Sequence, residues 1–109
     1  MRIIFTPEAL NDIENIKNYL LDEYGPQTAV KNIKKVLKSI RSLEQFPLQG
    51  SGVWEKYGIE SDYRYIYTTR NYVFYRVSSD SVRVIRILDV RRDFLSILFG
   101  INDLTDDSE

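Results

Sequence analysis

Apolar residues recur at three- and four-residue steps through the first half of the chain, and at two-residue steps through the second. That change of period predicts helices followed by strands. Residues 2–5 (Arg-Ile-Ile-Phe) read as a short strand stopped by Thr6-Pro7. Thr6 suits a helix N-cap, Pro7 the first helical position, and Glu8 the positive end of the helix dipole. Leu10, Ile13, Ile16, Leu20 and Tyr24 then mark one apolar stripe, ended by Gly25-Pro26. A second stripe follows at once through Ala29, Val30, Ile33, Val36, Leu37, Ile40 and Leu43, and Phe46-Pro47 closes it. Two helices joined by so short a break fold back as an antiparallel αα-hairpin. Residues 48–61 carry Gly50, Gly52 and Gly58 and few periodic apolar positions, which predicts a loop or irregular arm. Trp54 within it reads as a lid pinned over the core.

Beyond this arm the period is two. Tyr63–Tyr67, Tyr72–Val77 and Val82–Leu88 are rich in β-branched and aromatic residues, and the four-residue breaks Thr68–Asn71 and Ser78–Ser81 separate them. Such links permit only antiparallel hairpins, so the three segments form a meander. A last short helix runs through Leu95, Leu98 and Phe99, with Gly100 at its C-cap. The expected fold is α+β: a small antiparallel sheet in the order β-αα-βββ-α, the hairpin packed on one face, and a short C-terminal helix. Strict alternation leaves the other face open, with Tyr and Arg displayed together. Residues 1–100 make a single domain of ordinary size, followed by an acidic disordered tail at 101–109.

Composition narrows the chemistry. The 109 residues include no His and no Cys, which excludes Ser-His-Asp and Cys-His nucleophile systems, imidazole or thiolate metal sites, and disulfides. A reducing cytoplasm suits such a chain. The opening Met1–Phe5 run turns polar at Thr6, too soon for a signal-peptide apolar region, and no apolar stretch reaches membrane-spanning length.

Net charge is −1, from 15 Lys and Arg against 16 Asp and Glu, but its distribution is uneven. Within Tyr63–Arg92 stand Arg64, Arg70, Arg76, Arg83, Arg86, Arg91 and Arg92 against only Asp80 and Asp89. Arg suits bidentate contacts with phosphate or carboxylate and stacking on flat rings, so the cluster reads as a functional surface. Lys31, Lys34, Lys35, Lys38 and Arg41 on the back of the second helix read as a solvated face. Gly50-Ser51-Gly52 lacks the Lys-Ser/Thr of a phosphate-binding loop. Asp89 and Asp93 would hold a cation only beside Arg91 and Arg92. No cofactor or metal is expected.

Several segments together resemble the RelE/ParE superfamily of bacterial type II toxin–antitoxin toxins. They are Thr6-Pro7-Glu8-Ala9, Tyr24-Gly25-Pro26, Leu43–Pro47, Tyr63–Tyr67, Val73–Val77, and Val84–Leu88 followed by Arg91-Arg92-Asp93. The likeness spans residues 2–99, and its specificity lies in the order and spacing of the pieces. It implies a cytoplasmic growth inhibitor, with a role in plasmid stabilisation, held inactive by a cognate antitoxin that alone contacts operator DNA.

The superfamily divides between ribosome-dependent mRNA endonucleases and inhibitors of DNA gyrase. Where the nucleases place a phosphate-binding Arg, the chain aligns Tyr72; their preceding Lys pair aligns with Tyr63 and Tyr65. A His common among ParE-like relatives is Asp89 here. With no His, a general base would have to be a shifted carboxylate or tyrosine, and Glu55 and Glu60 are the least poor choices. The resemblance therefore implies a ParE-like gyrase inhibitor without a catalytic site. Its target surface would comprise Arg64, Arg76, Arg86, Arg91, Arg92, Tyr63 and Tyr72, and its antitoxin groove Leu20, Leu21 and Tyr24. The competing readings are a metal-independent endoribonuclease acting on ribosome-bound mRNA, and an inactive antitoxin-binding relic.

Overall fold

The computed structural model of the chain describes residues 1–101; the acidic end assigned to 101–109 lies, apart from Ile101, outside the described residues. The elements are β1 (Arg2–Phe5), α1 (Pro7–Tyr24), α2 (Pro26–Arg41), β2 (Ser51–Gly52), α3 (Val53–Tyr57), β3 (Arg64–Thr68), β4 (Asn71–Val77), β5 (Ser81–Asp89) and α4 (Phe94–Phe99). A single 3-10 turn at Ser42–Glu44 follows α2. The arm expected at 48–61 is therefore built rather than irregular, since it supplies β2 and α3.

The sheet is five-stranded in the order β1-β5-β4-β3-β2. The meander β3-β4-β5 is antiparallel as expected, whereas β1 joins the far side of β5 in parallel, with Phe5 opposite Val84. A parallel neighbour needs a crossover, but here β1 precedes the whole chain of helices and strands, so α1 and α2 have room to cover the sheet on the way.

Caps fix where the hairpin starts and turns. The Thr6 hydroxyl accepts from Ala9 N–H at 3.0 Å and donates to the Ile85 carbonyl at 2.8 Å, tying the start of α1 to β5. Gly25 sits at φ +91°, a conformation that L side chains rarely adopt, and its N–H reaches the Leu20 and Leu21 carbonyls. Ala9, Val36, Ile40, Val73, Val84 and Ile87 form the core between hairpin and sheet, and Ile3, Phe5, Ile13, Ile16 and Ile66 pack on it.

The α1 stripe is displaced from the expected one. Ala9 and Asp12 are buried, while Leu10 and Tyr24 are exposed. On α2, Val30 also lies outside the core.

The second sheet face is not open. Phe74, Leu88 and Val53 are buried there beneath Tyr63, Tyr65, Tyr72, Phe94 and the apolar residues of α4. The rings pack edge-on or tilted with centroids 5.1–6.1 Å apart around Phe94, Tyr65 and Tyr72, the geometry aromatic quadrupoles favour. The short α4 covers this face because Asp93 accepts from Ser96 N–H and Gly100 ends the helix at φ +68°. Val53, not Trp54, is the inward residue of α3; Trp54 is exposed and pins nothing.

A bulge in β5 decides which residues face the hairpin. Phe74 pairs with Arg86 but Tyr75 pairs with Val84, so Ile85 is an extra residue. Beyond it the alternation reverses. Val84 and Ile87 consequently share the hairpin face, Leu88 goes to the aromatic face, and Asp89 emerges opposite Asn71.

Candidate functional site

Between the open side of the αα-hairpin and the end of the sheet lies a groove of about 690 Å³. Asp12, Ile16, Tyr19, Leu20 and Tyr24 of α1 form one wall, and Thr28, Asn32, Lys35 and Val36 of α2 the adjoining one. The β3–β4 turn brings Thr69, Arg70 and Asn71, and the end of β5 brings Ile87, Asp89, Arg91 and Arg92. The Tyr19 and Tyr24 rings meet edge-on at 6.4 Å on the rim. Leu20 and Tyr24 thus border the same cavity as Arg91 and Arg92, where sequence reasoning had assigned two separate surfaces. Leu21 lies off the groove, exposed on the outer side of α1.

The groove floor is held by a part-buried ion pair. Asp12 accepts from Arg86 Nε at 2.7 Å, from Arg86 Nη2 at 3.0 Å and from the Ile87 N–H at 2.9 Å. The Asp12 side chain is 6% exposed and that of Arg86 23%. The hydrogen bonds that Arg86 donates to Asp12 raise the Arg86 pKa, outweighing its burial. Arg86 is therefore not a surface anchor as expected, but a strut joining β5 to α1.

At the groove mouth Asp89 organises a turn. Its Oδ1 accepts from the Arg91 N–H at 2.8 Å and from Arg91 Nε at 2.9 Å, and its Oδ2 from Nη2 at 3.2 Å. The Arg92 N–H reaches the Asp89 carbonyl, and the Val90 N–H that of Arg70. The Arg91 side chain lowers the Asp89 pKa, partly opposed by burial, and the Arg91 pKa is raised in return. Arg91 is thus partly neutralised within the chain. Among the described residues Lys35, Arg70 and Arg92 form no ion pair, so they carry the groove's free positive charge.

The remaining arginines stand elsewhere. Arg83 lies about 20 Å from Asp89 along β5, at ~3.3 Å per residue, and it faces Arg76 across the ladder. Arg76 pairs with Asp62 at 2.9 Å, with its guanidinium 6.0 Å from the Tyr63 ring centre. Arg64 donates to the Leu48 and Gly50 carbonyls and so fastens the segment before β2. One arginine-rich stretch of sequence is therefore divided between two ends of the sheet.

Tyr63 and Tyr72 do not join the groove; with Tyr65 they belong to the aromatic layer under α4. Desolvation, with the neighbouring Tyr65 hydroxyl, pushes the Tyr57 phenol up to about 12. Glu55 and Glu60 are exposed on the far arm. Asp93 is used as the α4 cap and Asp89 by Arg91, and no group of three or more Asp or Glu converges among the described residues.

Sequence reasoning misses Asp12 and Asn71, reads Lys35 as part of a solvated face, and places Arg70 in the arginine cluster without making it a contact. Only Asp12 left a signal: a carboxylate between Ala9, Ile13 and Ile16 on a buried stripe requires a partner.

No helix among the described residues is long and apolar enough to cross a membrane. Solved structures of similar fold include the chromosomal ParDE system of P. aeruginosa, at 21% identity and TM-score 0.70 over 82% of this chain and 95% of that one. A YoeB/ParE toxin from Agrobacterium tumefaciens matches at 18% and 0.53 over 82% and 98%. The E. coli DinJ–YafQ complex matches at 16% and 0.52 over 92% and 100%. No curated relative matches the chain in sequence. Residues 3–94 match the model of the family described as the ParE toxin of the type II toxin–antitoxin system parDE, and the chain belongs to that family.

Proposed function

We propose that this toxin inhibits growth by binding DNA gyrase rather than by cutting RNA, and that its antitoxin silences it by filling the groove beside the hairpin. The observation that carries the first part is the aromatic face. The three positions that align with the cations of nuclease relatives are Tyr63, Tyr65 and Tyr72, and all three are packed under α4. The three tyrosines supply no cation to clamp a phosphate, Arg76 beside Tyr63 is engaged by Asp62, and the chain has no His to serve as general base.

The target surface is then the groove mouth, with Arg92, Arg70 and Arg91 as anchors; Arg is over-represented among the residues that dominate protein contacts. The antitoxin segment that fits the groove is acidic, to meet Lys35, Arg70 and Arg92, and amphipathic, to cover Leu20 and the two tyrosines. It orders as it binds.

Brief induction in bacteria, with labelled thymidine and labelled methionine followed side by side, tests the target. DNA synthesis should fall first while translation continues. Translation collapsing first would transfer the activity to mRNA, and neither falling would leave an antitoxin-binding relic.

A further inference from the structure

We infer that the outer face of α2 is a second binding surface, meeting the groove only at Lys35, for the phosphate backbone of duplex DNA. Lys31, Lys34, Lys35, Lys38 and Arg41 are all exposed, and α2 holds no acidic residue. At about 100° per residue the five side chains fall within a sector of about 120°, and at 1.5 Å per residue they extend over about 15 Å. None forms an ion pair among the described residues. On the neighbouring α1, Asp12 is taken by Arg86 and Glu14 by Lys17, and Glu8, Asp22 and Glu23 form no ion pair with the row. A row of like charges at i, i+3 and i+4 repels itself, and a polyanion laid along it removes that repulsion.

The chemistry selects the partner. Four of the five residues are Lys, a compact point charge that binds phosphate without the planar fork by which Arg grips carboxylates. The opposite side of α2 is already spent on the core through Ala29, Val36 and Ile40, and the exposed Val30 beside the row is too small an apolar face to enter a lipid surface. Single strands are held by aromatic stacking, and α2 carries no aromatic residue. A straight, rigid row matches a duplex backbone. The surface adds a direct DNA contact to the expectation that operator DNA is reached only through the antitoxin, and it stands whether the target is gyrase or the ribosome.

The test is binding of the full chain to a labelled 30-base-pair duplex over a range of salt. Engagement of the whole row should give a slope of log K against log salt of about −4.5, a loss of roughly 500-fold between 50 and 200 mM. Lys31→Gln with Lys34→Gln and Lys38→Gln should reduce the slope by about 2.7. Gln matches Lys in helix propensity, so this variant keeps its far-UV circular dichroism. Arg91→Ala with Arg92→Ala should leave the slope unchanged.

Absence of binding at 50 mM salt overturns the proposal. So does a slope that follows the Arg pair instead of the Lys row, or tighter binding to a single strand than to the duplex. Lys-dependent binding to polyglutamate or to vesicles containing phosphatidylserine, without binding to duplex, would assign the face to another class of partner.

Discussion

Removing the Asp12 carboxylate should cost more than any surface change in this protein. Asp12→Ala leaves the Arg86 guanidinium, 23% exposed, without its counter-ion, and leaves the Ile87 N–H without an acceptor. Breaking a buried pair from one side costs about 3–5 kcal/mol, and that figure already includes part of the orphaned N–H. Against a total stability of about 5–15 kcal/mol this is a large share. At near 4 °C per kcal/mol the melting temperature should fall by about 12–20 °C. Arg86→Met should cost a similar amount, because it strands the carboxylate. Asp12→Leu combined with Arg86→Met removes both charges and should recover to within about 2 kcal/mol of the parent, with only the Ile87 N–H unpaired. Urea denaturation of the parent, Asp12→Leu, Arg86→Met and the double variant gives the coupling energy, expected above about 2 kcal/mol. Asp12→Ala within about 1 kcal/mol of the parent, or no coupling, would refute the strut. The double variant also isolates function: if Arg86 is only structural, the refolded double variant still inhibits growth. A folded but harmless double variant would return Arg86 to the target contacts.

Arg91→Ala with Arg92→Ala should weaken antitoxin and target alike, each by about 10-fold or more by calorimetry or competition, since one groove serves both; an unchanged antitoxin affinity would separate the two surfaces. The Asp89 carboxyl should titrate by NMR below its ordinary 3.8, because Arg91 stabilises the anion. Its contribution to stability is fully present above that value and is lost as pH falls through the lower folded value, so the turn should hold at pH 5 and loosen only under strong acid; a midpoint at or above 3.8 would dissolve the clip. Thr69 occupies φ +47°, which is strained for a β-branched residue in the two-residue turn between β3 and β4. Thr69→Asn should raise stability by about 0.5–1 kcal/mol in thermal melts, and a loss would mean that the Thr69 hydroxyl's bond to the Thr68 carbonyl outweighs the strain.

The legibility of this fold follows the range of its interactions. The hairpin and meander were readable because they rest on local signals: Thr6-Pro7 at a helix start, Gly25 at a turn, and alternating residues between short breaks. The pairing of β1 with β5 was not, since nothing within residues 2–5 specifies a parallel partner some eighty positions away. The closed second face was missed for a related reason. Tyr63, Tyr65 and Tyr72 alternate like exposed positions, and only α4, folding back through Asp93 and Gly100, turns them into a core.

The groove depends on one residue that no periodicity displays. Were β5 regular, the alternation of Val82 and Val84 would continue through Arg86 and Leu88, and Asp89 would face the aromatic layer. Ile85 interrupts that count. The bulge delivers Ile87 and Asp89 to the hairpin side, where Asp12 holds the shifted strand by accepting from both Arg86 and the Ile87 N–H. Asp89 then sits opposite Asn71 and turns the chain back, which places Arg91 and Arg92 beside Arg70. The misplaced carboxylate on α1 and the clustered arginines on β5 are thus two halves of one device. A buried charge on a helix registers an irregular strand, and the irregular strand aims the cations at the groove.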